Sequence, residues 1–249
     1  ALGRAHTSEY LRKIRESDFS HEEALRLEVP FSPALRDASI LTCGGTIQTG
    51  ELAVKHKVAV HVGGGFHHAF ADHGEGFCLL NDVAVAALDL LARGAVERVA
   101  IVDLDVHHGN GTASLFADDP RVHTFSMHQE NNYPAIKPPS ALDVGLPDGT
   151  GDEDYLGLLN RHLHSVLREH EPTVVFYLAG ADPYVEDQLG GLAITLSGLE
   201  GRDRIVIESS LNAQAAVAIV LAGGYATRTE DTVTIHSNTV RMALRYASA

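Results

Sequence analysis

The stretch Asp103-Leu104-Asp105-Val106-His107-His108-Gly109-Asn110-Gly111 (DLDVHHGNG) closes an apolar, β-branched run, Arg98 to Asp103, with a carboxylate and an imidazole two positions apart. In an extended chain such residues point to the same side. Asp105 and His107 could therefore share one metal ion, or simply pair with each other or cap the following helix. Three more patches have the same form: GGGFHHA (63–69) after Val58 to Val62, AGAD (179–182) after Thr173 to Tyr177, and GGY (223–225) after Ala216 to Leu221.

Working outward, strand-like and helix-like runs alternate. Strands are expected at Val58 to Val62, Arg98 to Asp103, Val122 to Met127, Thr173 to Ala179 and Ala216 to Leu221. Helices are expected at Asn81 to Arg93, Gly111 to Phe116, Asp152 to His170, Ser197 to Gln214 and Thr227 to Tyr246. That alternation predicts βαβ units and an α/β fold with a mostly parallel central sheet. Ligands of open parallel sheets bind beyond the carboxyl ends of the strands, so His67, His68, Asp103, Asp105, His107, Asp182 and Tyr225 should converge on one rim. Upstream, helices are expected at Ser8 to Arg15 and Pro33 to Ala53, with a polar surface loop from Asp18 to Ser32 between them. A second long loop, His128 to Thr150, is rich in Pro, Asn and Asp, and loops of that length are often functional.

At 249 residues and 45% hydrophobic, the chain can bury one large core. Lys plus Arg number 19 against 33 Asp plus Glu, a net charge of -14 that opposes binding to nucleic acid or anionic membranes and tolerates cationic substrates. Cys43 and Cys78 are too few for a disulfide framework. No secretory signal and no membrane-length apolar run is evident, so the cytoplasm is the default expectation. The chain begins at Ala1 rather than Met, which suggests processing or a start inside a longer protein.

Asp105, His107 and Asp182 would make a three-ligand set with an open fourth position, as in catalytic zinc sites, although oxygen ligands also suit iron or another divalent ion. His67 and His68 are candidates for a general base and its electrostatic partner, with Asp103 and Asn110 to orient them. Two loop histidines satisfied by backbone carbonyls is the plainer alternative. Gly63-Gly64-Gly65 invites a dinucleotide-binding reading, but His68 stands where G-x-G-x-x-G needs its third glycine. No nucleophile elbow and no phosphate loop is present. Tyr225 could donate its phenol proton to an oxyanion, and Phe77 and Tyr133 could wall a channel.

In their order and approximate spacing, GGGFHHA, GFCLLND, DLDVHHGNG, AGADPYVEDQLGGL and AGGY resemble the zinc-dependent histone deacetylases and their bacterial relatives, from about His6 to the C-terminus. Gly44-Gly45-Thr46 and GGYATRT look closest to the class IV and related bacterial branch. The resemblance implies a single catalytic domain over 1–249, a three-layer sandwich of the arginase/deacetylase fold. It implies one zinc ion on Asp105, His107 and Asp182, proton transfers by His67 and His68, and Tyr225 polarising the scissile carbonyl. Asp103 would orient His67. Asn110 would face His68, where some branches carry Asp. Gly76, Phe77 and Tyr133 would line a channel for an acylated amine, either acyl-lysine of a protein or peptide or an acylated polyamine. A structural potassium ion would sit near the carbonyls of Asp103, Asp105, His107 and Met127 and the Ser126 hydroxyl. A non-catalytic acyl-binding or scaffold protein is the alternative of another class. The arginase branch binds two metals through D-x-H-x-D and D-x-D-x-x-D; here Gly109 replaces a carboxylate of the first and Pro183 to Asp187 does not restore the second, which favours one metal. Relatives carry an additional strand and loop before His6, so the chain is expected to be a fragment lacking its N-terminal strand.

Overall fold

Parallel strands cannot be joined by tight hairpins and need crossover segments, usually helices, and the chain is built in that way. The computed structural model describes residues 1–247. Six strands, β1 (Val58–His61), β2 (Val99–Asp103), β3 (Val122–Gln129), β4 (Leu142–Leu146), β5 (Val174–Leu178) and β6 (Ala216–Val220), form one sheet in the order β1-β6-β5-β2-β3-β4. Every pairing is parallel. Eight α-helices surround it: α1 (Ser8–Glu16), α2 (His21–Leu27), α3 (Pro33–His56), α4 (Asp82–Ala92), α5 (Asn110–Phe116), α6 (Asp152–His170), α7 (Leu196–Asn212) and α8 (Thr229–Leu244).

Strands β2, β5 and β6 are buried along their whole length, which is why VAIVD, VVFYL and AVAIV read as continuous apolar runs. Their side chains still alternate between two cores. Val102, Val175, Tyr177 and Ile219 face α6, α7 and α8 through Leu159, Leu163, Leu199, Val206 and Ile235. Ile101, Val174, Phe176 and Val220 face the N-terminal helices and α4 through Tyr10, Ile14, Leu27, Val83 and Leu90. The result is the three-layer arrangement expected. Helix α3 comes close because Gly45 and Gly50 lack side chains: a Cβ would lie 2.7 Å from the His61 ring at the first and 2.7 Å from Leu90 at the second.

Two expected loops contain regular structure. Helix α2 lies inside the segment 18–32; its start carries a capping box between Ser20 and Glu23, and only Leu27 of its residues is buried, so its polar face concealed the period. Strand β4 lies inside the segment 128–150, where Leu142, Val144 and Leu146 alternate with Asp143 and Gly145 at the sheet edge. His170 at the end of α6 sits with Nε2 3.0 Å from the Val99 carbonyl and 3.2 Å from the Arg121 carbonyl.

Two buried polar groups tie the layers to the rim. Arg202 of α7 is fully buried, pairs with Asp203 and donates to the Gly180 carbonyl at the end of β5. His6 donates from Nδ1 to the Phe70 carbonyl at 2.9 Å and accepts at Nε2 from the Asn81 N–H at 3.1 Å. Burial pushes its pKa down to about 4. The folded protein therefore holds His6 neutral where an unfolded chain would bind a proton, so its contribution is complete above about pH 6.5 and is lost as pH falls toward 4. On the order of 2 kcal/mol should be gone by about pH 5. His6→Asn keeps a donor and an acceptor without titrating, and urea midpoints at both pH values should fall less for it than for the wild type.

Candidate active site

The parallel register sets Asp103 beside Ser126 and Leu178, and Leu178 beside Val220, so the segments after β1, β2, β5 and β6 leave the sheet at one rim. Asp105 and His107 follow β2, and Asp182 follows β5. Their ligand atoms lie within 4.8 Å of one another and all three residues are buried. Backbone N–H groups hold one oxygen of each carboxylate: Gly223 donates to Asp105 Oδ2 at 2.9 Å, and Val106 donates to Asp182 Oδ1 at 2.9 Å. Asp105 Oδ1 also accepts from the His107 backbone N–H at 2.9 Å. Asp105 Oδ1 lies 3.0 Å from His107 Nδ1, and Asp182 Oδ2 is buried with no hydrogen bond, its nearest partner being His107 Nδ1 at 3.5 Å.

Two buried carboxylates facing each other, one with an orphaned oxygen, are costly without a cation between them. The donor set of two oxygens and one imidazole nitrogen fits a divalent metal. Burial, reinforced by the charge of Asp105, raises the pKa of Asp182. At His107 burial alone would lower the pKa, but hydrogen bonds to Asp105 and Asp182 outweigh it and raise the value to about 11. A metal must displace these protons, so its affinity should fall steadily as pH is lowered through the neutral range and more steeply once Asp182 also binds a proton, below about pH 7. Calorimetric titration in two buffers of different ionisation enthalpy should register proton release; metal uptake without it would contradict this account.

His67 and His68 stand beside this cluster as a linked pair. His67 Nδ1 lies 2.6 Å from Asp103 Oδ2, His68 Nδ1 lies 2.7 Å from Asn110 Oδ1, and the two Nε2 atoms are 3.1 Å apart. Burial opposes charge on His67, but Asp103 and Asp105 overcome it and raise the pKa to about 9. Burial, reinforced by charged His67, pushes His68 well below its ordinary value. One imidazole is held charged and its neighbour neutral.

A buried carboxylate that the sequence reading overlooked holds the preceding loop in place. Asp82, at the start of α4, accepts from the backbone N–H groups of Gly65 and Phe66 at 2.8 to 3.1 Å and from the Thr46 hydroxyl at 2.5 Å. Gly64 and Gly65 adopt φ of 75° and 93°, and a Cβ on Gly65 would lie 2.7 Å from Ala222. Asp82→Ala would strand the buried Gly65 N–H, the part-buried Phe66 N–H and the buried Thr46 hydroxyl and should cost about 3 kcal/mol of stability, measured by urea unfolding. A loss below about 1 kcal/mol would show that the loop holds itself.

The cleft above the cluster is lined by Phe66, Gly76, Phe77, Tyr133, Leu189 and Tyr225. It holds about 260 Å³, below the ~300–1,000 Å³ of drug-sized sites, which suits one side chain inserted end-on. Tyr225 is part exposed to it, with 37% of its surface accessible. Burial, with Asp105 and Asp182 nearby, raises its phenol pKa, so the hydroxyl remains a donor. Its backbone N–H donates to Asp187 Oδ2 at 2.6 Å, while Asp187 Oδ1 accepts from Leu189 and Gly190 at 2.8 and 3.1 Å. Every residue expected at the rim is thus present there. Asp187, Asp82, Glu75 and the exposed Glu28 at the cleft mouth escaped notice, because their sequence neighbours only suggest caps and turns.

The chain is thus an all-parallel α/β sandwich with a three-donor cluster at its carboxyl rim that could hold a metal ion. The sequence model of the histone deacetylase domain matches residues 1–240, and the chain belongs to that family. It is 44% identical over 232 residues to an uncharacterized protein of Picosynechococcus sp., covering 93% of this chain and 77% of the relative. It is 35% identical over 185 residues to histone deacetylase 2 of Arabidopsis thaliana and 32% identical over 236 residues to a probable deacetylase of Archaeoglobus fulgidus. These matches cover 73% and 88% of this chain, and they span 48% and 65% of those two relatives.

Among the described residues no helix is long and apolar enough to cross a membrane.

Proposed function

We propose that the protein hydrolyses the amide of acylated lysine side chains in proteins or peptides, with zinc held by Asp105, His107 and Asp182. The observation that carries this reading is the convergence of that cluster, the His67–His68 pair and Tyr225 on one narrow cleft. When bound, the metal supplies Lewis acidity toward a carbonyl and a water.

The protein's own groups do the rest. Neutral His68 presents an unprotonated Nε2, which accepts from the His67 Nε2–H in the resting pair, to take the proton of the attacking water, and charged His67 holds a proton for the leaving amine. One proton enters at His68 and one leaves from His67, so passage of a proton across the 3.1 Å between the two Nε2 atoms restores the pair at each turnover. Tyr225 donates a hydrogen bond to the oxygen that gains charge as the carbonyl becomes tetrahedral. A structural potassium ion on Asp103, Asp105, His107, Ser126 and Met127 belongs to the same proposal, supported by the register pairing of Asp103 with Ser126.

Glu28 supports a second reading, a small acylated polyamine as substrate, since an exposed carboxylate at the mouth attracts any cation. The test is a screen of metal-reconstituted protein on acetyl-lysine peptides, long-chain acyl-lysine peptides and acetylpolyamines. Turnover of lysine peptides supports the first reading, and turnover of polyamines alone replaces it with the second. No turnover of any of them, with metal bound, favours an acyl-binding protein. Glu28→Lys should raise KM about tenfold for cationic substrates and leave kcat unchanged.

A further inference from the structure

Asn110 holds His68 through an amide, and an amide can face either way. Its oxygen and its nitrogen exchange places on a half-turn, and nothing in His68 itself forbids the exchange, because a neutral imidazole can donate or accept at Nδ1. With the oxygen toward His68, Nδ1 carries the proton and Nε2 is free to accept one. With the NH2 toward His68, the proton moves to Nε2 and the base is lost.

The charged His67, 3.1 Å from His68 Nε2, favours the first arrangement, and the second partner of Asn110 fixes the amide that supports it. Asn110 Nδ2 donates to Glu75 Oε1 at 2.6 Å, and the Tyr133 hydroxyl donates to the same oxygen at 3.3 Å. A carboxylate only accepts, so it demands the NH2 end of the amide and leaves the oxygen for His68 Nδ1, at 2.7 Å. Glu75 is itself fixed by a tight turn, its N–H donating to the Cys78 carbonyl at 3.1 Å and its carbonyl accepting from the Cys78 N–H at 2.9 Å. Asn110 is almost wholly buried, and the Glu75 carboxylate is the acceptor that its NH2 group reaches.

We infer that Glu75 is a positioning residue: its carboxylate locks the Asn110 amide and thereby sets the tautomer of His68. The inference rests on the proposed hydrolysis for its kinetic consequence, but the tautomer itself is observable without turnover. His67 is oriented directly by Asp103, whereas His68 receives the same service from a carboxylate at one remove.

The test uses side-chain 15N shifts of His68 together with steady-state kinetics on the metal-loaded protein. In Glu75→Ala the His68 signals should move toward a mixture of tautomers and kcat should fall about 10- to 100-fold, the range for partners of a site's first ring of residues, with KM, metal content and melting temperature nearly unchanged. Glu75→Gln can still offer an oxygen to Asn110 and should recover most of that loss. Asn110→Asp sets two carboxylates against each other and should be poor, while the double variant Glu75→Gln, Asn110→Asp restores a donor facing an acceptor and should regain activity. Wild-type His68 shifts and kcat in Glu75→Ala would overturn the inference, as would a loss equal in Glu75→Ala and Glu75→Gln that tracks the melting temperature. A wild-type protein that turns over no acyl substrate would instead sink the proposed function, with the 15N shifts still judging Glu75.

Discussion

Asp105→Ala is expected to yield a folded protein that holds no stoichiometric metal and hydrolyses acyl-lysine at least about 10³-fold more slowly, because the lost Lewis acidity is worth several kcal/mol in the transition state. Asp105 is chosen because its Oδ1 lies 3.0 Å from His107 Nδ1 within the three-donor cluster, and its carboxylate otherwise accepts from the backbone N–H groups of His107 and Gly223. Metal analysis after gel filtration and single-turnover kinetics check both halves. Stability gives an independent reading: bound ligand adds about 4 kcal/mol at a thousandfold excess over Kd. A chelator should therefore lower the urea midpoint of the wild type and leave that of the variant where it was. A variant that keeps full metal and full activity would remove Asp105 from the site.

Tyr225→Phe should separate binding from chemistry. The phenol is the only atom group changed, and loss of one donor to a developing oxyanion costs about 10² to 10³ in kcat. Metal content should remain that of the wild type, and KM should stay within about threefold, because the hydroxyl is proposed to matter more in the transition state than in the ground state. Full activity in Tyr225→Phe would end its assigned role. A parallel loss of metal would mean that the tyrosine loop supports the cluster through Gly223 instead.

What could be read from the chain was whatever lies next to a strand end. Asp105 and His107 are neighbours in sequence, and Asp182, Tyr225 and the paired histidines each follow an apolar run, so the rule for parallel sheets gathers them without coordinates. Asp82 and Glu75 obey no such rule. Asp82 reads as an ordinary first-turn residue of α4, and its bonds to Gly65, Phe66 and Thr46 exist only after three distant segments meet. Glu75 sits in a turn whose partner, Asn110, lies on another helix. Among the elements, α2 and β4 were hidden for opposite reasons. Helix α2 buries little beyond Leu27, and β4 shows a strand's alternation but is broken by the aspartate and glycine that an edge strand tolerates.

Asp187 touches neither the donor cluster nor the histidine pair, yet it joins the wall of the cleft to its reactive hydroxyl by holding the N–H groups of Leu189 and Tyr225 on one carboxylate. The Gln188 N–H also donates to the Tyr225 carbonyl, so the two segments form one stitched flap. Such a flap cannot widen the cleft and keep the tyrosine in place. If opening is needed to release an alkylamine, the same movement withdraws the phenol, and the interval in which product escapes is also one in which no new carbonyl can be attacked. On the proposed hydrolysis, exit and attack would then be mutually exclusive events timed by a single side chain.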